Sequence, residues 1–120
     1  MLTSKVEVVI NCAASTDFNM ELEQATIINI EGALRMQDLA KECENINIFS
    51  HVSTAYVNCD NTNTEFLNST PEAIVEKNNF DAEETYLFLK SKSSKYLNDN
   101  EASIIGTYPN TYTFTKNISE

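Results

Sequence analysis

The chain has 120 residues, 42% hydrophobic and 22% charged, which is the size and balance of one globular domain. A formal charge of −10 argues against nucleic acid as a partner, because phosphate contacts need clustered Lys and Arg, and disfavours adsorption to anionic membranes. Three cysteines (Cys12, Cys43, Cys59) without C-x-x-C spacing, and the single histidine His51, suggest neither a disulfide framework nor a metal site; they read as the reduced thiols of a cytosol-facing protein.

The start MLTSKVEVVI is not a signal peptide, and no apolar run approaches the roughly 20 residues that span a bilayer. The run Val6-Glu7-Val8-Val9-Ile10 reads as a buried parallel strand, with Glu7 at its end or at one exposed position. NCAASTDF then reads as a loop at the strand's carboxyl end. From about Asn19 to Cys43 the apolar period changes to three and four: Leu22, Ala25, Ile28, Gly32, Met36, Leu39 and Cys43 predict an amphipathic helix, with Asn29 beside the stripe. Residues 46–52 (INIFSHV) predict a second strand that ends in Ser53 and Thr54, with His51 packed inside it. Strand, helix and strand make one βαβ crossover and therefore two parallel strands.

Residues 58–70 (NCDNTNTEFLNST) read as a surface loop. Thr70-Pro71-Glu72 is a helix start with proline at its first position. Asp81-Ala82-Glu83-Glu84 resembles a capping box before Tyr86, Leu87, Phe88 and Leu89, and Ser91 to Asn100 reads as a polar exit dotted with lysines. The acidic stretch 72–84 reads as a solvated face, and Tyr56 and Tyr108 as packing residues. A last helix should begin near Asn110 and place Tyr112 and Lys116 one turn apart on one face.

That spacing has a chemical use. A neighbouring ammonium favours the phenolate form of a tyrosine and so makes the phenol a better proton donor to a carbonyl that is being reduced. A hydroxyl at the carboxyl end of a parallel strand, Thr54 or Ser53, would hold the same carbonyl. Y-x-x-x-K alone is a weak signal, but here it stands in order with three other motifs.

VINCAASTDF, INIEGALRMQDLAKEC, HVSTAYVN and YPNTYTFTK together resemble the male-sterility-type domain of the fatty acyl-CoA reductases, which are extended short-chain dehydrogenase/reductases. The thioester-reductase domains of polyketide and nonribosomal peptide synthases are similar. The resemblance covers residues 5–58 and 106–120; residues 58–105 match only as a variable insertion of loop and helices. It implies an α/β fold, part of a Rossmann-like, doubly wound parallel sheet: the central βαβ unit plus the catalytic helix. It also implies NADPH-dependent reduction of a fatty acyl-CoA, or another acyl thioester, to the aldehyde or alcohol.

In residue terms the resemblance makes Tyr112 the catalytic acid and Lys116 the holder of the nicotinamide ribose. Thr54 matches the catalytic Ser/Thr, with Ser53 as its neighbour and second choice. Asn11, Ala13 and Ala14 match the strand-end segment beside the cofactor, and Asn29 matches the helix asparagine that supports a proton-relay water. Related reductases are often associated with peroxisomal or endoplasmic-reticulum membranes.

Only two glycines occur, Gly32 and Gly106, so the glycine-rich phosphate turn of a first βαβ half has no counterpart here. The 120 residues therefore read as one part of a domain within a longer polypeptide, or as a non-catalytic remnant. An extended reductase or epimerase acting on a nucleotide sugar or a sterol is the other reading of the same motifs.

Overall fold

The structure, a computed structural model, describes residues 2–57, 59 and 81–120. The predicted start at Thr70-Pro71 and most of the asparagine-rich loop lie outside the described residues.

Two short strands, β1 (Val8–Asn11) and β2 (Ile48–His51), pair in parallel with Val8 opposite Ile48 and Asn11 opposite His51. Between them runs one helical segment in three parts: α1 (Leu22–Ala25), a π-helical turn (Thr26–Glu31) and α2 (Gly32–Lys41). The chain is mixed α/β around the expected βαβ unit.

Helix α1 starts with no side-chain cap, so tertiary packing has to hold it. The π turn is where the expected apolar stripe goes wrong. Gly32 N–H bonds to the carbonyl of Ile27, five residues back, and the extra residue per turn rotates the buried face. The face therefore passes through Leu22, Ala25, Thr26, Asn29, Ile30, Ala33 and Ala40, while Ile28 turns outward. A uniform 3.6-residue period cannot register such an insertion.

Sheet burial also departs from expectation. Val9 and Asn11 are covered, but Val8, Ile10 and Ile48 are 49%, 66% and 56% exposed. Side chains alternate across a strand, and among the described residues only one face of this sheet is packed against helices.

Three further helices are described: α3 (Ala82–Ser91), α4 (Ser94–Ile105) and α5 (Thr111–Ile118). Asp81 caps α3 by accepting from Glu84 N–H at 3.0 Å, as the sequence suggested. The polar exit from Ser91 is instead mostly helix. Ser93 accepts from Tyr96 N–H at 3.3 Å to start α4, and Leu97, buried in an otherwise polar stretch, anchors it. At its end stands Gly106 with φ of +60°, a backbone state that L side chains avoid. Asn110 opens α5 by accepting from Thr113 N–H at 2.9 Å.

The helices enclose one core of Leu22, Ile30, Leu89, Leu97, Phe114 and Ile118, capped by Tyr108 edge-on to Phe114. This core fixes α5 against α1 and the π turn, which brings Lys116 to the carboxyl end of β2. No helix of the described residues is long and apolar enough to cross a membrane.

Candidate active site

Helix α5 is buried on most of its circumference, and its threonines, Lys116 and Asn117 are hydrogen-bonded within the protein. Lys116 is only 2% exposed. Its Nζ donates to the Val52 carbonyl at 2.9 Å and lies 3.1 Å from His51 Nε2. Desolvation holds its pKa below the usual lysine value, against the opposing pull of Glu120 and Cys12. Of the three ammonium donors, two are engaged. A ligand hydroxyl taking the third must displace part of the covering protein.

His51 lies across the strand pair from Asn11, whose Nδ2 is 3.0 Å from His51 Nδ1. Burial lowers the imidazole pKa first and the charge of Lys116 second, while Glu120 opposes both. The ring also borders an open cavity of about 600 Å³ with Ile30, Phe49, Tyr86 and Ile118 in its wall. Solvent protons therefore have a route to the imidazole.

Asn29, 2% exposed, sits in the π turn, a device common at functional sites. Its Oδ1 accepts from Ser15 N–H at 2.8 Å, and its Nδ2 donates to Thr115 Oγ1 at 3.0 Å and to the Ser15 carbonyl at 3.3 Å. Thr115 Oγ1 in turn donates to the Thr111 carbonyl at 2.7 Å. The amide thus pins the loop after β1 to α5 beside Lys116.

Tyr112, half-buried, packs its ring against Phe18 with centroids 5.6 Å apart. No hydrogen bond joins Tyr112 to Lys116 or to Thr54 among the described residues. The Thr54 hydroxyl accepts from Tyr56 N–H at 3.3 Å. Ser53 Oγ is buried and has no hydrogen-bond partner among the described residues. A buried hydroxyl left unpaired is costly, and it lies in the segment where a carbonyl-holding group was expected. Ala13 is exposed and Ala14 half-buried on the loop after Asn11.

The structure thus brings Asn11 and Lys116 together through His51, and Asn29 to the same helix through Thr115. His51, read from the sequence as packing, is also the polar bridge between these two side chains. The available signal was its place as the last residue of β2, opposite an asparagine that ends β1.

The Lys116 ammonium is thus held at the end of β2, Tyr112 stands four residues before it on the same helix, and the unpartnered Ser53 hydroxyl follows directly after the residue whose carbonyl anchors the ammonium. Gly32 is helical and Gly106 lies at the end of α4, so neither forms a glycine-rich turn between strand and helix.

The family model described as male sterility protein, a NAD-binding family, matches residues 1–120. Fatty acyl-CoA reductase 1 of Xenopus laevis is 31% identical over 96% of the chain, and a Drosophila melanogaster fatty acyl-CoA reductase, wat, is 31% identical over 99%. A second Drosophila protein, given the fatty acyl-CoA reductase name provisionally, is 34% identical over 99%. The chain spans only about a fifth of the length of these relatives, 21% or 22% of each. No solved structure matches significantly.

Proposed function

The chain belongs to the male sterility protein family of NAD-binding domains, and on that premise we propose that it contributes the catalytic helix and strand ends of an NADPH-dependent fatty acyl-CoA reductase. The observation that carries this reading is the Lys116 ammonium, buried on α5 and anchored to the Val52 carbonyl immediately before Ser53 and Thr54. A lysine kept only for solubility would not be sealed in this way.

The nicotinamide, when bound, supplies the hydride. Lys116 would hold a ribose hydroxyl of the cofactor with its remaining N–H. Tyr112 gives a proton to the carbonyl oxygen, with its ring steadied by Phe18. Thr54 holds that oxygen, and the unpartnered Ser53 hydroxyl is the neighbouring second donor. Asn11, Ala13 and Ala14, on the strand end and the loop after it, would flank the nicotinamide. Asn29, with its amide committed to Ser15 and Thr115, acts by fixing α5 near the relay path.

In this proposal the βαβ unit is the centre of a Rossmann-like doubly wound sheet, and its phosphate turn is supplied by further residues of a longer polypeptide. The substrate is a fatty acyl-CoA or related thioester; one hydride and a proton give the aldehyde with release of the thiol, and a second hydride and proton give the alcohol where reduction goes that far, on the cytosolic side of a peroxisomal or endoplasmic-reticulum membrane.

The test is NADPH consumption on adding palmitoyl-CoA to the longest polypeptide that carries this chain. Thioester-dependent oxidation of NADPH is expected. Oxidation only with nucleotide sugars or sterols contradicts the substrate class, and no oxidation with any of them supports a non-catalytic remnant.

A further inference from the structure

Two side-chain donors face the two ring nitrogens of His51: Lys116 Nζ at Nε2, 3.1 Å away, and Asn11 Nδ2 at Nδ1, 3.0 Å away. A neutral imidazole has one N–H and one acceptor, and an imidazolium has two N–H groups and no acceptor. The arrangement cannot be satisfied as drawn. An imidazolium would also set a positive charge against the ammonium.

Two solutions remain. In one, the Asn11 carboxamide makes a half-turn, so that Oδ1 accepts from Nδ1–H while Nε2 accepts from the ammonium. In the other, Lys116 is a neutral amine that accepts from Nε2–H while it donates to Val52. The half-turn exchanges two atoms of nearly equal size, and the Asn11 side chain makes no other hydrogen bond among the described residues. A neutral amine at neutral pH requires the lysine to lose its proton more than a thousandfold more readily than usual, from a reference pKa of about 10.4.

We propose that His51 is the positioning residue for Lys116: a neutral Nδ1–H imidazole, held by Asn11 Oδ1, that fixes the ammonium between Nε2 and the Val52 carbonyl. The register of β1 and β2 presets this chain, because Asn11 and His51 are partners in the sheet. The ammonium is thereby held at the residue that precedes Ser53 and Thr54, with one N–H left over. Protonation of His51 removes the acceptor and releases Lys116. Glu120, from the end of α5, and Cys12, after β1, are the other charged or titratable groups acting on the pair. The pairing stands on the chain's own geometry; only its catalytic consequence rests on the reductase reading.

Because His51 is the only histidine, long-range ¹H–¹⁵N spectra of the labelled 120-residue chain report it without ambiguity. The expected result is a protonated Nδ1 and an unprotonated Nε2 at neutral pH, with the Lys116 Cε signal shifting as His51 titrates below 6.5. A predominant Nε2–H tautomer, or a Lys116 signal indifferent to His51 titration, overturns the proposal. His51→Leu should abolish the linked shift, and His51→Gln, which retains an acceptor, should restore the resting Lys116 signal. In a polypeptide that turns over, His51→Leu should lower kcat about tenfold, the worth of one charge-assisted hydrogen bond, with KM for the thioester unchanged. His51→Gln should recover most of that loss. A change in KM alone would overturn the positioning role while leaving the reductase reading intact.

Discussion

The two faces of the sheet differ in what they present. The covered face ends in Asn11 and His51 and joins a buried lysine, whereas the open face shows Val8, Ile10 and Ile48 to solvent. Burying a charge is costly unless it is paired, and exposing contiguous apolar side chains usually marks a surface that meets something else. The covered side commits its polar groups to one another, and under the proposed reductive role that cost in stability serves chemistry. The open side leaves three apolar side chains without cover among the described residues.

Mutations separate these roles. The largest expected effect is on turnover: Tyr112→Phe and Lys116→Met should each lower reduction by about 10²–10⁴-fold, the range for loss of general acid catalysis. Unchanged far-ultraviolet circular dichroism would show that the fold persists. Retention of more than a tenth of the activity by both variants would remove the covered face from the chemistry.

Next comes stability on the helical side. Leu22→Ala, at a fully buried core position, should cost about 2–5 kcal/mol in urea unfolding. Asn29→Ala orphans Ser15 N–H and should cost about 1–3 kcal/mol. On the open face, Ile10→Ser should stay within about 0.5 kcal/mol. A loss above 2 kcal/mol there would mean that this face is packed after all.

The pH dependence has a definite sign. Burial lowers the pKa of both His51 and Lys116, so the unfolded chain holds more protons than the folded one between each folded pKa and its unfolded value. Stability from these groups therefore rises with pH through each window and is lost on acidification below 6.5 for His51. Urea midpoints measured at falling pH should show this slope, and His51→Gln should remove its histidine component. An unchanged slope in that variant would place the acid sensitivity elsewhere.

Much of this was legible in the residues. Both strands, the crossover helix, the cap at Asp81 and the helix start near Asn110 follow from period and side-chain chemistry, because those signals act over a few neighbouring residues. The π turn was hidden, since its cause is tertiary: Asn29 faces Ser15 and Thr115, which are far apart in the chain. Helix α4 was hidden because its apolar contacts are sparse, Leu97 in a polar stretch and Ile104 and Ile105 at its end. The motifs nominate Lys116 and Thr54 for the site, but nothing local could show that His51 bridges Asn11 to the lysine.

The sharpest trial of the whole account uses reduced nicotinamide mononucleotide, which carries the ring and its ribose and needs no dinucleotide phosphate turn. Titrated into the labelled chain, it should saturably shift the signals of Lys116, His51 and Tyr112, and Lys116→Met should abolish the response. Equal binding by wild type and Lys116→Met, or shifts confined to the open face, would contradict the assignment of this helix and strand edge as the reductive site.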